Sequence, residues 1–247
     1  MDLRRPQNDD EKLVKPCTIV FDPGSTHCGK KDYAFRLIEL ASEAGADAIK
    51  FQLFPKTPEF TASGNIPMSY DWFPELVRYA SKLKRPIIVS ASVFDFQAVE
   101  LVNRYRPPFI KFAYSQRGKK EWIEGLLSIG ATVVVSTDVM HRDGLQDHKG
   151  LIKLFCQPIY PTMHKTHFEN LFPNMFWGFS DHSLGIQESV DAVKAGAKWI
   201  EKHITLPYLD CLSCPDGKFA LSGEEAANLV KEIRAWEKQP LSAQEAR

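Results

Sequence analysis

The sequence predicts a closed (β/α)₈ barrel, a TIM barrel in a single domain, and three observations predict it. Short apolar, β-branched segments alternate with segments of helical period from one end to the other. Eight such units fit between Thr18 and His203, and strand–helix alternation implies parallel strands joined by right-handed crossovers. Each predicted strand also delivers a polar or charged side chain at or just beyond its end, which suits a fold whose active site lies at the C-terminal ends of its strands. At 247 residues with 44% hydrophobic residues, the chain can bury one large core.

The predicted strands are Thr18–Asp22, Ala48–Gln52, Pro86–Ser92, Phe109–Phe112, Thr132–Ser136, Leu151–Cys156, Phe176–Ser180 and Trp199–His203. Between them the spacing predicts amphipathic helices. In Tyr33–Ala44, Ala34, Leu37, Ile38 and Ala41 share one face, and Asp32 is placed to cap the N-terminus. Asp71–Leu83, Phe96–Tyr105, Glu121–Ile129, Ile186–Ala195 and Gly223–Trp236 read the same way. The charged link Val139–Lys149 holds less than a full helix. Glycines 45, 130 and 196 close helices just before strands, where a left-handed C-cap is needed. The barrel is expected over 18–237, with an N-terminal extension at 1–17 and a polar tail at 238–247.

Composition narrows the function classes. The formal net charge is zero, so no global field draws nucleic acid or an acidic membrane surface. Met1–Lys15 is polar and carries no signal-peptide core, and no apolar run approaches membrane-spanning length. The expectation is a soluble cytoplasmic protein. Five cysteines do not suggest a disulfide framework. Cys17 and Cys156 read as small core residues. Cys211-Leu-Ser-Cys214 has zinc-knuckle spacing without a second pair, and Cys28 follows His27 in a loop.

The strand ends carry the chemistry. Gly178-Phe-Ser-Asp-His182 and Glu201-Lys-His203 each end a short apolar segment with a histidine. Two imidazoles from neighbouring strand ends can share one divalent metal. Lys50 and Lys111 stand among apolar strand residues, with Ser92, Ser136 and Ser180 at other strand ends. Charged groups are poor barrel-interior residues unless they face a polar ligand. Two ammonium groups with several hydroxyls form a pocket for a phosphate or carboxylate. An anionic, phosphorylated substrate and an oxygen-bearing partner polarised by a metal follow from that set.

Ala-Gly-Ala-Asp-Ala-Ile-Lys-Phe-Gln (44–52), Tyr-Pro-Thr (160–162), Gly-Phe-Ser-Asp-His-Ser-Leu-Gly (178–185) and Ile-Glu-Lys-His-Ile-Thr-Leu (200–206) together resemble the barrel domain of the sialic acid synthases. The likeness runs from about Thr18 to Trp236. It implies a condensation of phosphoenolpyruvate with an aldehyde amino sugar such as N-acetylmannosamine, giving a 2-keto-3-deoxy acid and phosphate. It implies that His182 and His203 bind a divalent ion, manganese first, with magnesium or cobalt as alternatives. Lys50, Gln52, Ser92, Lys111, Ser136 and Ser180 would hold phosphoenolpyruvate, and Asp22, Lys50, Lys111, Tyr160 and Asp216 are the candidate catalytic residues. The other readings of the same barrel are a metal-dependent 2-keto acid aldolase or lyase, and a non-catalytic ligand-binding barrel.

The chain also departs from the family pattern. Asp22 stands where the family has Glu, Pro158 where it has Asn, Gly217 where it has His, and Asp138 where it has Gly. The stretch from Phe54 to Asp71 looks shortened. The resemblance further implies that the small antifreeze-like domain, which in the family brings an arginine over a partner subunit's barrel, is missing. A homodimer through barrel helices, or a separate capping protein, is the corresponding expectation.

Overall fold

The computed structural model describes residues 16–140 and 144–239. The predicted extension at 1–17 and tail at 238–247 therefore lie almost entirely outside the described residues. Eight parallel strands close in sequential order: β1 (Thr18–Asp22), β2 (Ala48–Leu53), β3 (Ile88–Val93), β4 (Ile110–Phe112), β5 (Val133–Thr137), β6 (Leu151–Cys156), β7 (Gly178–Asp181) and β8 (Trp199–His203). The seam between β1 and β8 pairs five residues, from Thr18 with Trp199 to Asp22 with His203.

Helices α1 (Lys31–Ala44), α3 (Phe73–Ala80), α4 (Phe96–Tyr105), α5 (Lys120–Ser128), α6 (Gln187–Lys194) and α8 (Gly223–Glu237) occupy the six predicted helical segments. The structure adds α2 (Pro58–Thr61) and α7 (Leu209–Ser213), one turn each, which no apolar period announced. Asp32 is not the cap of α1. The helix begins at Lys31, Lys30 caps without a side-chain bond, and Asp32 lies within the first turn, where its charge faces the positive helix end. Residues 144–150 and 157–177 contain no helix, so the barrel is wrapped unevenly beside β5, β6 and β7.

Strand alternation divides the barrel interior into two zones. Val20, Ala48, Phe109, Val134, Ile152, Leu154 and Trp199 form a buried apolar floor. Phe109 and Trp199 meet edge-on at 4.9 Å, a geometry worth about 0.5–1.5 kcal/mol beyond area burial. Gly178 makes room for that floor, because a Cβ there would meet the Trp199 carbonyl oxygen at 2.2 Å. Two residues further along each strand the inward side chains become polar. Ile49, Phe51, Ile110, Phe112, Val133 and Val135 face outward into the layer under the helices.

Two charged strand-end residues also point outward. Lys202 and Asp181 are fully buried and lie 2.9 Å apart between the barrel wall and α6. Lys202 also donates to the Ser183 carbonyl at 2.6 Å. Asp181 accepts from Ser189 Oγ of α6 at 2.5 Å and from the Ser183 backbone at 2.8 Å. Burial lowers the Lys202 pKa, opposed by the Asp181 charge. The pair joins β7, β8 and α6 and takes no part in the pocket.

Removing one member of this pair leaves the other charge buried without a counter-ion. Lys202→Met is expected to cost about 3–5 kcal/mol, read as a lowered midpoint in urea unfolding. Lys202→Met combined with Asp181→Asn should recover a large part of that loss. Equal loss in the two variants would mean the ion pair is not the source of the stability.

Candidate active site at the barrel mouth

The polar zone opens into a cavity of about 420 Å³ at the C-terminal ends of the strands, lined by residues from every strand. It suits small ligands carrying several charges. Lys50 on β2 donates to Asp22 Oδ2 on β1 at 2.6 Å and to Ser92 Oγ on β3 at 2.8 Å. Gln52 Nε2 donates to the same Asp22 oxygen at 3.0 Å. Lys111 on β4 donates to Ser136 Oγ on β5 at 2.7 Å. Both lysines are only 1% exposed.

Glu201 on β8 connects the two halves. Its Oε1 lies 3.3 Å from Lys111 Nζ and 3.7 Å from Lys50 Nζ, and accepts from Ser180 Oγ at 3.0 Å. Its Oε2 is buried without a protein partner. Glu201 was absent from the predicted site residues although it stands two residues before His203. Strand parity carried the signal, since alternate residues face the same side.

Burial works against every charge here, and neighbouring charges decide the outcome. For Asp22, burial would raise the carboxyl, but Lys50 and the other donors hold it well below the ordinary range. Lys50 is pulled down by burial and pulled up more strongly by Asp22 and Glu201, so it stays charged. Lys111 ends below its ordinary value: burial dominates, Glu201 opposes it, and Lys50 adds repulsion. Lys50 is thus the fixed cation and Lys111 the one whose proton is more easily lost.

His182 follows β7 and His203 ends β8, and their ring centres are 5.4 Å apart. Burial, with the nearby His203 and Lys111 charges, drives the His182 pKa well below its ordinary value and leaves a neutral imidazole. His203 Nδ1 is buried with no partner, while its Nε2 lies 3.9 Å from Asp22 Oδ2. Tyr160 packs on His182 with ring centres 4.3 Å apart, and Phe219 lies against both imidazoles. This pair fits a divalent ion held by two imidazole nitrogens, with further positions left to oxygen ligands. Cys156 Sγ lies 3.8 Å from His182 Nδ1, and among the described residues the two histidines do not form, with a third His, Cys, Asp or Glu, a set of donors all within 4.8 Å of one another.

The remaining predicted residues also reach the cavity. Tyr160 lines its wall, with a phenol pKa raised mainly by burial. Asp216 lies in a 3₁₀ turn (Asp216–Lys218) and accepts from the Ser25 backbone at 2.7 Å. Gly24 approaches it so closely that a Cβ would fall 2.3 Å from Asp216 Oδ2.

The departures have physical reasons. A Cβ on Gly217 would sit 2.0 Å from the Cys211 carbonyl oxygen, so α7 occupies the space that a histidine there would need. Asp138 accepts from Tyr114 Oη at 2.5 Å and from the Met140 backbone at 3.0 Å, which ties its carboxylate both to the turn after β4 and to its own loop. Asp22 engages both oxygens, since Oδ1 accepts from Gly24 at 2.8 Å.

Fold and site define a TIM barrel whose mouth gathers two buried lysines and a pair of imidazoles at the C-terminal ends of its strands. A family model described as the NeuB family matches residues 56–244. The N-acetylneuraminate-9-phosphate synthase of Homo sapiens is 29% identical over 258 residues, covering 90% of this chain and 71% of that protein. A pseudaminic acid synthase of Campylobacter jejuni is 25% identical, covering 92% of this chain and 74% of that one. The crystal structure of the spore coat polysaccharide biosynthesis protein spsE from Bacillus subtilis superposes with a TM-score of 0.74 at 27% identity, covering 90% of this chain and 68% of that one. The chain belongs to the NeuB family and is a sialic acid synthase-like transferase. Among its described residues no helix is long and apolar enough to cross a membrane.

His27, buried behind the mouth with Nδ1 accepting from the Gly29 backbone at 3.1 Å, gives a pH-dependent prediction. Burial pushes its pKa down to about 4, with Asp22 opposing. The unfolded imidazole takes up a proton below about pH 6.5 while the folded one stays neutral, so stability falls as pH drops from about 6.5 towards 4, by up to about 1.4 kcal/mol per pH unit. His27→Gln should flatten this dependence in urea unfolding followed across that window. An unchanged slope would show that the folded imidazole is not held neutral.

Proposed function

We propose that this chain joins phosphoenolpyruvate to the aldehyde carbon of an open-chain amino sugar, forming a 2-keto-3-deoxy acid and releasing phosphate. The observation that carries the reading is the placement of Lys50 and Lys111 inside one cavity, each bonded to a strand-end hydroxyl. The names of the relatives support the sugar class, and the human relative extends the acceptors to phosphorylated sugars.

Lys50, with Gln52 and Ser92, and Lys111, with Ser136 and Ser180, would hold the phosphate and carboxylate of phosphoenolpyruvate through charge-assisted hydrogen bonds. The incoming anion would take the place of Glu201 on both Lys111 and Ser180. Asp22, ionised beside Lys50, is suited to accept a proton from the water that adds after carbon–carbon bond formation. Tyr160 and Asp216 flank the acceptor side and orient its hydroxyls. His182 and His203 would hold manganese, or magnesium or cobalt in its place, and the bound ion would polarise the sugar carbonyl as a Lewis acid. We place the reaction in the cytoplasm, with a second protomer or a separate protein covering the mouth.

The test is phosphate release from phosphoenolpyruvate with a panel of aldehyde sugars, including N-acetylmannosamine and its 6-phosphate, with and without chelator. Acceptor-dependent release abolished by the chelator is the expected result. Release without an acceptor, or an unaffected rate in chelator, would overturn the reading.

Two variants assign the roles. Lys111→Met should weaken phosphoenolpyruvate binding at least tenfold, about 1.4 kcal/mol or more, measured by calorimetry; unchanged affinity would sink the phosphate-pocket assignment. His182→Ala combined with His203→Ala should lose manganese while still binding phosphoenolpyruvate measurably, and full manganese content in that variant would refute the two-histidine site.

A further inference from the structure

A second group of metal-type donors lies outside the pocket. The loop between β1 and α1 carries Cys28 at φ 52°, and α7 presents Asp210 and Cys211. Cys28 Sγ and Cys211 Sγ are 3.5 Å apart, and Asp210 Oδ1 lies 3.7 Å from Cys211 Sγ. Among the described residues this is the one set of three such donors within 4.8 Å of one another. None of the three lines the cavity.

The spacing discriminates between two uses of paired thiols. Tetrahedral zinc with bonds of about 2.3 Å to sulfur sets two thiolates about 3.8 Å apart, so the pair would open by about 0.3 Å. A disulfide at about 2.05 Å would require a contraction of about 1.5 Å. The carboxylate is also prepared: Lys30 Nζ grips its other oxygen at 2.6 Å, the kind of hydrogen bond that orients a ligating carboxylate. Cys214, buried three residues on, donates its thiol to the Cys211 carbonyl at 3.0 Å.

We propose that Cys28, Asp210 and Cys211 bind a zinc ion, with solvent completing its coordination, and that the ion staples the β1–α1 loop to α7. This site is independent of the two-histidine pair and of the reaction assigned above. Its consequence for the mouth follows from chain continuity, because the same two segments carry the contact between Ser25 and Asp216. Burial raises the Cys28 and Cys211 thiols. Each thiol must therefore release a proton on binding, and affinity should climb with pH.

Cobalt(II) tests this on the full, reduced chain, because cobalt bound to thiolate gives a near-ultraviolet charge-transfer band that histidine ligation does not. One equivalent of band is expected, displaced by zinc, with zinc raising the melting temperature. The band should survive His182→Ala/His203→Ala. It should vanish in Cys28→Ser/Cys211→Ser, persist in Cys214→Ser, and form at least tenfold more weakly in Asp210→Asn. Cys28→Ser alone, at a partly exposed position, guards against misfolding, and circular dichroism checks each variant. No band in the reduced wild type, or a band that persists in folded Cys28→Ser/Cys211→Ser, would overturn the proposal.

Discussion

Two ammonium groups buried in the middle of a closed barrel have to be matched, and this requirement organises the mouth of the molecule. Lys50 and Lys111 are 1% exposed, and an isolated buried charge would lose its proton or unfold its surroundings. Asp22 and Glu201 match them. Glu201, within reach of both lysines through one oxygen, makes the arrangement a single network instead of two pairs. Asp22 is committed to Lys50 and Gln52, leaving Lys111 with the looser contact. The site therefore has a built-in asymmetry, in which one cation is fixed and the other can be passed to an incoming anion. Pre-placed charge of this kind needs no reorganisation when the ligand arrives.

The same constraint explains the rigid floor beneath. A network of four charges holds its geometry only if the strands that carry it cannot slide. Trp199 and Phe109 fill the barrel below it, and Gly178 is kept small to admit Trp199. Outside the wall, the buried pair of Lys202 and Asp181 fixes β7 and β8 to α6. At the N-terminal ends of the strands, Arg234 of α8 bonds Asp47 and the Cys17 carbonyl, each at 2.7 Å, tying the last helix to the start of β1. The residues that appear catalytic by type thus divide by strand parity. Inward charges form the pocket, and outward charges form the clamps that keep it in shape.

Much of this was legible in the sequence because parity and periodicity are local. The eight strands fell within two residues of their predicted limits, and α4, β1, β6 and β8 agreed at both ends. The inward set Asp22, Lys50, Gln52, Ser92, Lys111, Ser136, Ser180, His182 and His203 meets in one cavity, joined by Tyr160 and Asp216. Where the reading failed, the deciding contact was distant along the chain. Glu201 matters because Lys50 and Lys111 arrive from two other strands. Asp32 failed as a cap because α1 starts two residues earlier than predicted, and the one-turn helices α2 and α7 are too short to carry an apolar stripe. The approach of Cys28 to Cys211 spans 183 residues of sequence, beyond the reach of any spacing rule.

The departure at position 217 gains an explanation when α7 is placed. Its Cys211 carbonyl fills the space a side chain at position 217 would need, its Asp210 holds Lys30, and its Cys211 thiol meets Cys28. The 3₁₀ turn that follows carries Asp216 back to the β1 loop. A family histidine at 217 and the present α7 are therefore mutually exclusive occupants of one corner of the mouth. The loss of that histidine and the gathering of sulfur donors in α7 are two faces of a single rearrangement. Lys50, Lys111 and His203 stand on β2, β4 and β8 and His182 follows β7, whereas the corner at Asp216 is built by α7 and the turn after it.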